Sequence, residues 1–396
     1  MRNIYFDHAA ATRIDPRVLK RMAPYLTKRF GNPSSLYSLG REARAAIELS
    51  RKKVARVLNV NSEEIIFTGS GTESDNLAIF GVAKAYSDKG RHIIVSKIEH
   101  KAVLEAAKKL EKEGFEITYL KVDPKGLVDL REFKKALRPD TILVSIMYAN
   151  NEIGVIQPIS QIAEIIQKFR IGRSIFHPFF HTDACQAAGA LSLDIGKLGV
   201  DLLTFSGSKI YGPKGVGCLY KAKNIKLEPM IVGGDQENNF RAGTENSALI
   251  VGLAEALELA EKLREKESKR LMHLRDYLIK NILERVPKCR LNGHPLKRLP
   301  NNINISIAGV EGESLALMLD KHGIFVSTGS ACASFDLAPS HVLLAIGLTP
   351  EAAYGSLRLT LGRNTTKMEV DRVLKILPKI VYKLRNISPS PFARPS

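Results

Sequence analysis

From about residue 64 the chain alternates short apolar runs with stretches of helical character, and no other feature restricts its fold as much. Residues 64–68, 92–96, 115–122, 141–147, 201–206 and 216–220 read as buried strands, rich in Ile, Val, Leu and Phe. Helical stretches such as 74–86 and 100–113 lie between them. Strand and helix in alternation predict a doubly wound α/β sheet. A long helical stretch from Ser247 to about Val286 separates this part from a C-terminal portion. There, strands are predicted at 302–307 and 356–360, and helices at 313–321 and 367–386. The expected division is an N-terminal arm (1–15) that joins a smaller domain, and a large domain over 16–258. The smaller C-terminal domain spans 259–386, and a frayed tail 387–396.

Composition narrows the function classes. The 396 residues include four cysteines, Cys185, Cys218, Cys289 and Cys332, with no Cys-x-x-Cys pair. That is no disulfide framework, and a reducing, cytoplasmic setting is expected. No apolar run approaches the ~20 residues of a membrane helix. The start, Met1-Arg-Asn-Ile-Tyr-Phe-Asp7, lacks the apolar segment of a signal peptide. No membrane association is expected. Lys and Arg number 59 against 41 Asp and Glu, a net charge of +18. The excess is terminal: residues 1–60 carry 13 basic and 4 acidic side chains, and residues 363–396 carry 8 and 2. It is either a solvated basic face or a place where an acidic partner or RNA docks. Direct nucleic-acid binding is not the expectation.

Three constellations carry chemistry. Gly69-Ser-Gly-Thr-Glu-Ser-Asp75 follows a predicted strand and opens a helix. It can cradle a phosphate on the free N–H groups of the first helical turn, or be an ordinary helix start with Thr72 as N-cap. It is neither a Walker loop nor a full dinucleotide fingerprint. His181-Thr-Asp183-Ala-Cys-Gln186 ends a strand, where open α/β sheets hold ligands. Asp183 is either a satisfied structural carboxylate or the partner of a protonated ring nitrogen. Lys209 closes another apolar strand among hydroxyls and glycines, in Thr204-Phe-Ser206-Gly-Ser208-Lys209-Ile-Tyr-Gly-Pro-Lys-Gly. A lone lysine usually snorkels to water, but a desolvated one can form a Schiff base. Together the three supply the ingredients of a pyridoxal-phosphate site.

With these residues in view the chain resembles the cysteine desulfurases of the NifS/IscS type, in the class V aminotransferase group. The resemblance runs from Tyr5-Phe-Asp-His-Ala-Ala to about Asn386. Its further blocks are Gly31-Asn-Pro-Ser-Ser, Glu99-His100-Lys-Ala-Val, Asn150-Asn151-Glu-Ile-Gly, Arg241-Ala-Gly-Thr244-Glu-Asn, Gly329-Ser-Ala-Cys332-Ala-Ser and Leu357-Arg358-Leu-Thr-Leu-Gly-Arg. It implies the fold of type I pyridoxal-phosphate transferases: an α/β large domain with a mostly parallel seven-stranded sheet, plus a smaller α+β C-terminal domain.

The resemblance also implies roles. Lys209 would hold pyridoxal 5'-phosphate covalently and then move the substrate's α-proton. Asp183 would keep the ring nitrogen protonated, His100 would stack on the ring and take part in catalysis, and Gln186 would bond its phenolic oxygen. Gly71, Thr72, Ser206 and Ser208 would hold the phosphate, with Thr244 reaching over from the second subunit of a homodimer. Arg358 would clamp the substrate carboxylate, aided by Asn32 and by Asn151, which also lies against the cofactor. Cys332, in a small-residue stretch that reads as a loop, would take sulfur from L-cysteine as a persulfide, leaving alanine. The sulfur would pass to an iron–sulfur scaffold or another acceptor protein, for cluster assembly or tRNA thiolation. The spacing from Cys332 to the Pro339-Ser-His-Val block resembles the longer-loop group, which hands sulfur to a scaffold directly. No metal is expected, apart from transient ligation of a cluster by Cys332.

Cys185, Cys218 and Cys289 read as packing. Ser208 stands where the family usually has His, and Tyr37 where a His usually follows Asn-Pro-Ser-Ser. The stretch 171–181 is longer than the family pattern and reads as a surface insertion with exposed aromatics that a partner could contact. The alternatives are a selenocysteine lyase or cystine C–S lyase on the same fold, or an RNA- or partner-binding scaffold without activity.

Overall fold

The computed structural model describes residues 3–328 and 338–387. Its strands are β1 (Ile4–Tyr5), β2 (Ile65–Thr68), β3 (His92–Ser96), β4 (Glu116–Leu120), β5 (Thr141–Ser145), β6 (Phe179–Asp183), β7 (Leu202–Ser206), β8 (Gly217–Lys221), β9 (Cys289–Leu291), β10 (Asn302–Ile307), β11 (Ile324–Phe325) and β12 (Ser356–Thr360). Seven of them form one sheet in the order β2-β8-β7-β6-β5-β3-β4, parallel except where β8 runs against both neighbours. The apolar runs become strands because helices cover both faces of this sheet, so every side chain of β3, β5, β6 and β7 is buried. On one face Ile66, Ile93, Val95, Leu143 and Leu219 pack with the helices Gly71–Ala85 and Lys101–Lys112. On the other, Phe67, Val144, Phe180, Leu203 and Phe205 meet the helices Ser38–Leu58, Ile159–Arg173 and the first half of Ser247–Arg285.

The helix Ser247–Arg285 has 39 residues, about 58 Å of rod at 1.5 Å per residue. Leu253, Ala254 and Leu257 belong to the core of the large sheet, whereas Leu271, Leu278 and Ile282 belong to a second core. That second core lies on the antiparallel sheet β12-β10-β9, against the C-terminal helix Lys367–Ile387. β1 pairs parallel with β11, and Asp7 bridges to Thr360 at the end of β12. The first residues of the chain are thereby stitched to its last third.

The stretch 171–181 corrects the sequence reading. Ile171 and Phe176 are exposed, but His177 is buried, and Phe179 and Phe180 are core residues of β6. Aromatics that look surplus in the sequence fill both faces of a doubly covered strand. Phe180, fully buried beneath the second face, gives a stability prediction. Phe180→Ala should cost about 3–5 kcal/mol, read as a lowered urea midpoint at unchanged m-value; a loss under about 1 kcal/mol would contradict this packing. Part of the N-terminal basic excess is neutralised within the fold. Lys53 pairs with Glu255 and Glu258 at 3.0 and 2.5 Å, and buried Arg51 pairs with Glu237 at 2.9 Å. Among the described residues no helix is long and apolar enough to cross a membrane.

Candidate active site

The C-terminal ends of β6 and β7 and the start of the helix Gly71–Ala85 open into one cleft of about 500 Å³, where a parallel sheet places its ligands. At the end of β6, Asp183 is 6% exposed, and its Oδ1 accepts from the backbone N–H of Cys185 at 2.8 Å. β7 ends at Ser206 and passes into a single tight turn, Gly207–Lys209. Lys209 points back over the sheet edge, and its Nζ donates to the carbonyls of Ala9, at 2.9 Å, and Ala10. The side-chain amide of Gln186 donates to the same Ala9 carbonyl at 3.0 Å, and Thr12 Oγ1 donates to Ser208 O at 2.9 Å. Residues 9–12 thus form a strap across the lysine.

The helix Gly71–Ala85 aims its positive end at the cleft. Its N-cap is Ser70, in extended backbone (φ −172°), whose Oγ accepts from Glu73 N–H at 3.1 Å; Thr72, the cap expected from sequence, lies inside the first turn. A β-carbon on Gly71 would stand 2.7 Å from Cys185 Sγ and 3.5 Å from Ser206 Cβ. Only glycine keeps that corner open. Ser206 Oγ and Ser208 Oγ are 3.3 Å apart, so the hydroxyl that replaces the family's histidine joins a pair of hydroxyls beside the helix start.

The opposite wall holds His100, Asn151, Glu152 and Arg358. His100 caps the helix Lys101–Lys112, its Nδ1 accepting from Ala102 N–H at 3.1 Å. Arg358, on β12 and 2% exposed, donates from Nη2 to Asp7 Oδ1 at 2.8 Å and from Nη1 to Asn151 O at 3.1 Å; its buried Nε has no partner among the described residues. Asp7 Oδ2 in turn accepts from Ser327 Oγ at 2.8 Å.

Ten of the thirteen site residues expected from sequence therefore line one cleft: Gly71, Thr72, His100, Asn151, Asp183, Gln186, Ser206, Ser208, Lys209 and Arg358. Asn32 and Thr244 do not line it in the single chain. Cys332 falls outside the described residues. Among the described residues no cluster of three or more His, Cys, Asp or Glu could hold a metal ion.

The sequence reading missed a set of buried acids around the cleft. Asp75 is 1% exposed, and its Oδ1, 3.6 Å from His181 Nε2, has no hydrogen-bond partner among the described residues. Burial, then the neighbouring charge of Asp183, pushes its carboxyl well above the usual range. Burial also raises Glu99 to about 8, although Ser96 Oγ at 2.5 Å and the Met147 N–H at 3.0 Å favour its ionised form. Glu152, 2% exposed, is raised to about 7 by burial, offset by the Ser340 hydroxyl and then by Arg358. His181 is lowered to about 4, so it is neutral, with Ser145 and Thr204 on its two ring nitrogens. Glu99 and Glu152 adjoin His100 and Asn151 in blocks quoted above, and that adjacency was the available signal.

Chemically the cleft offers a helix start and hydroxyls for a phosphate, a buried carboxylate for a cationic ring nitrogen, an amine, and a guanidinium for a carboxylate. The family model for aminotransferase class-V matches residues 4–373. The chain is 54% identical over 388 residues to a protein named cysteine desulfurase IscS from Dictyoglomus turgidum, covering 98% of this chain and 97% of that one. It is 52% identical over 386 residues to a protein of the same name from Methanosarcina thermophila, covering 98% and 94%. A solved structure titled NIFS-like protein superposes with a TM-score of 0.89 at 38% identity, over 96% of this chain and 99% of that one.

Proposed function

The chain belongs to the class-V aminotransferase family, and from that membership we propose that it is a pyridoxal-phosphate-dependent cysteine desulfurase, which converts L-cysteine to L-alanine and passes on the sulfur. The observation that carries this reading is the convergence of Lys209, Asp183, the Gly71 helix start and Arg358 on one cleft. The donor set fits the cofactor. Gly71, Thr72, Ser206 and Ser208 would hold its phosphate, Asp183 its ring nitrogen, His100 its face and Gln186 its phenolic oxygen. When bound, the cofactor supplies an electron-withdrawing ring that stabilises negative charge at the substrate's α-carbon.

The chain's own groups do the rest. Arg358 holds the substrate carboxylate. Lys209 Nζ, positioned by the Ala9 and Ala10 carbonyls, accepts the α-proton and returns it. Cys332, as thiolate, attacks the substrate sulfur: an S–S bond forms, the Cβ–S bond breaks, and the bonding pair stays with the carbon fragment that becomes alanine. An iron–sulfur scaffold or another acceptor protein then takes the sulfur from the Cys332 persulfide, toward clusters or tRNA thiolation.

The working unit is a homodimer, with Thr244 reaching over from the second subunit, and Asn32 aids Arg358 at the substrate carboxylate. Large apolar side chains exposed at Phe30, Leu36 and Val232 support covering by a second copy. We read residues 16–258 as the large domain and 259–386, with the arm 1–15, as the small one.

The test is direct. Purified protein supplied with pyridoxal phosphate should absorb visible light, change its spectrum on adding L-cysteine, and release alanine in proportion to the sulfur transferred. A protein that stays colourless and forms no alanine removes the enzyme reading.

A further inference from the structure

Glu152 is held more rigidly than a wall residue of a cleft needs to be. Asn150 Oδ1 accepts from the N–H groups of Glu152 and Ile153, both at 2.9 Å. Asn302 Nδ2 and Asn304 Nδ2 donate to the Glu152 carbonyl at 3.1 and 3.2 Å. The side chain is buried and accepts from Ser340 Oγ at 2.5 Å; that hydroxyl also caps the helix His341–Ala345. The groups facing it come from four elements: Arg358 on β12, His100 and Lys101 at the start of the helix Lys101–Lys112, Ser340 and His341 on the short helix, and Asp7 across Arg358.

The charge balance at this wall is unusual. Arg358 already has one direct carboxylate partner, Asp7 at 2.8 Å, and Glu152 adds a second negative group nearby. A substrate carboxylate would be the third around one buried guanidinium. Like charges so confined cannot all stay ionised, and the cheapest relief is a proton on one of them. Asp7 already accepts directly from Arg358 and from Ser327 Oγ, whereas Glu152 makes no direct pair with Arg358. We propose that Glu152 takes up one proton from solvent when a carboxylate docks at Arg358, so that substrate docking in this cleft is coupled to protonation of this side chain. The coupling rests on the reading of Arg358 as the carboxylate clamp.

The sign follows from linkage. In the free protein burial sets the Glu152 carboxyl at about 7, with the Ser340 hydroxyl first and then Arg358, His100 and Lys101 keeping it from rising further. A docked carboxylate draws on Arg358 and repels Glu152, which raises its proton affinity. Between the free and bound values, affinity for the ligand falls as pH rises, by up to about tenfold per pH unit; below both values it is flat.

The probe is 3-mercaptopropionate on the holoenzyme. It keeps the carboxylate and thiol spacing of cysteine but lacks the amino group through which cysteine reacts. Its Kd should be constant below about pH 6 and rise several-fold between about pH 7 and 8.5, and calorimetry in buffers of different ionisation enthalpy should show proton uptake near pH 7. Glu152→Gln should abolish slope and uptake and retain the tight low-pH Kd throughout. Ser340→Ala removes a hydrogen bond that favours the ionised form, so the rise should begin at higher pH; this variant decides the matter if Glu152→Gln does not fold. A slope that survives in Glu152→Gln, an onset unmoved in Ser340→Ala, or a flat wild-type profile overturns the proposal. A ligand that binds equally well to Arg358→Lys, or not at all at any pH, overturns instead the assignment of the carboxylate clamp.

Discussion

Replacing Lys209 by alanine should lower alanine formation from L-cysteine by at least about a thousandfold, because one side chain does two jobs. In the proposed reaction its amine, at the end of β7, holds a carbonyl carbon covalently and also carries the substrate's α-proton. General acid–base transfer alone accounts for about 10²–10⁴ in rate. The fold should survive, since Lys209 closes a three-residue turn and its Nζ serves two strap carbonyls rather than the apolar core. Lys209→Arg is the matched control. It keeps a cation near Ala9 and Ala10 but cannot form a Schiff base, so it should be as inactive as the alanine variant. Borohydride treatment should fix pyridoxal phosphate to the wild type and to neither variant. A variant that kept more than about a tenth of wild-type turnover would sink the assignment of Lys209.

The second large effect is expected at Cys332. Cys332→Ala should reduce alanine and sulfide formation by at least about a hundredfold while leaving cofactor binding and the spectral response to cysteine in place. The argument comes from the other three cysteines, which cannot stand in. Burial pushes the thiols of Cys185 and Cys218 far up, with nearby carboxylates adding to the effect, and burial raises Cys289 to about 12. Such groups stay protonated and are poor nucleophiles. Cys185 lies in the cleft, but its sulfur fills the corner beside Gly71. Its work is steric. Sulfide release at full rate from the variant would show that the persulfide step assigned to Cys332 is wrong.

Much of the fold was legible because the large sheet is covered on both faces. A doubly buried strand is apolar along most of its length, so the sequence marks β3 with its observed ends, and β5 and β7 to within two residues. The helices Pro16–Thr27 and Ser38–Leu58 were not assigned. Their apolar positions, such as Val18, Met22, Ile47 and Val54, are interspersed with basic side chains, 13 of them in the first sixty residues. The alternative of a cap at Thr72 falls two residues past Ser70, because Ser and Thr offer the same oxygen and only backbone geometry separates them. At the site, Lys209 and Asp183 were legible because each ends a strand within a quoted block. Asp7, Asp75 and Glu152 were not. What they do depends on neighbours remote in sequence: Asp7 meets Arg358 across 351 residues and Glu152 meets Ser340 across 188. The aromatics of 171–181 misled because a strand filling two cores at once looks, in one dimension, like excess.

The pairing of β1 with β11 also has a consequence in time. A ribosome that has delivered 300 residues has made every strand of the seven-stranded sheet, and nothing yet for the first strand to pair with. Residues 4 and 5 wait for residues 324 and 325, and the bridge at Asp7 waits for residue 360. The strap whose carbonyls steady Lys209 is anchored from both sides of that gap. Such long-range closures come late and slowly. A nascent chain therefore carries its lysine before it carries the means to aim it, and the Asp7–Thr360 bridge beside the strap closes only within the last tenth of synthesis.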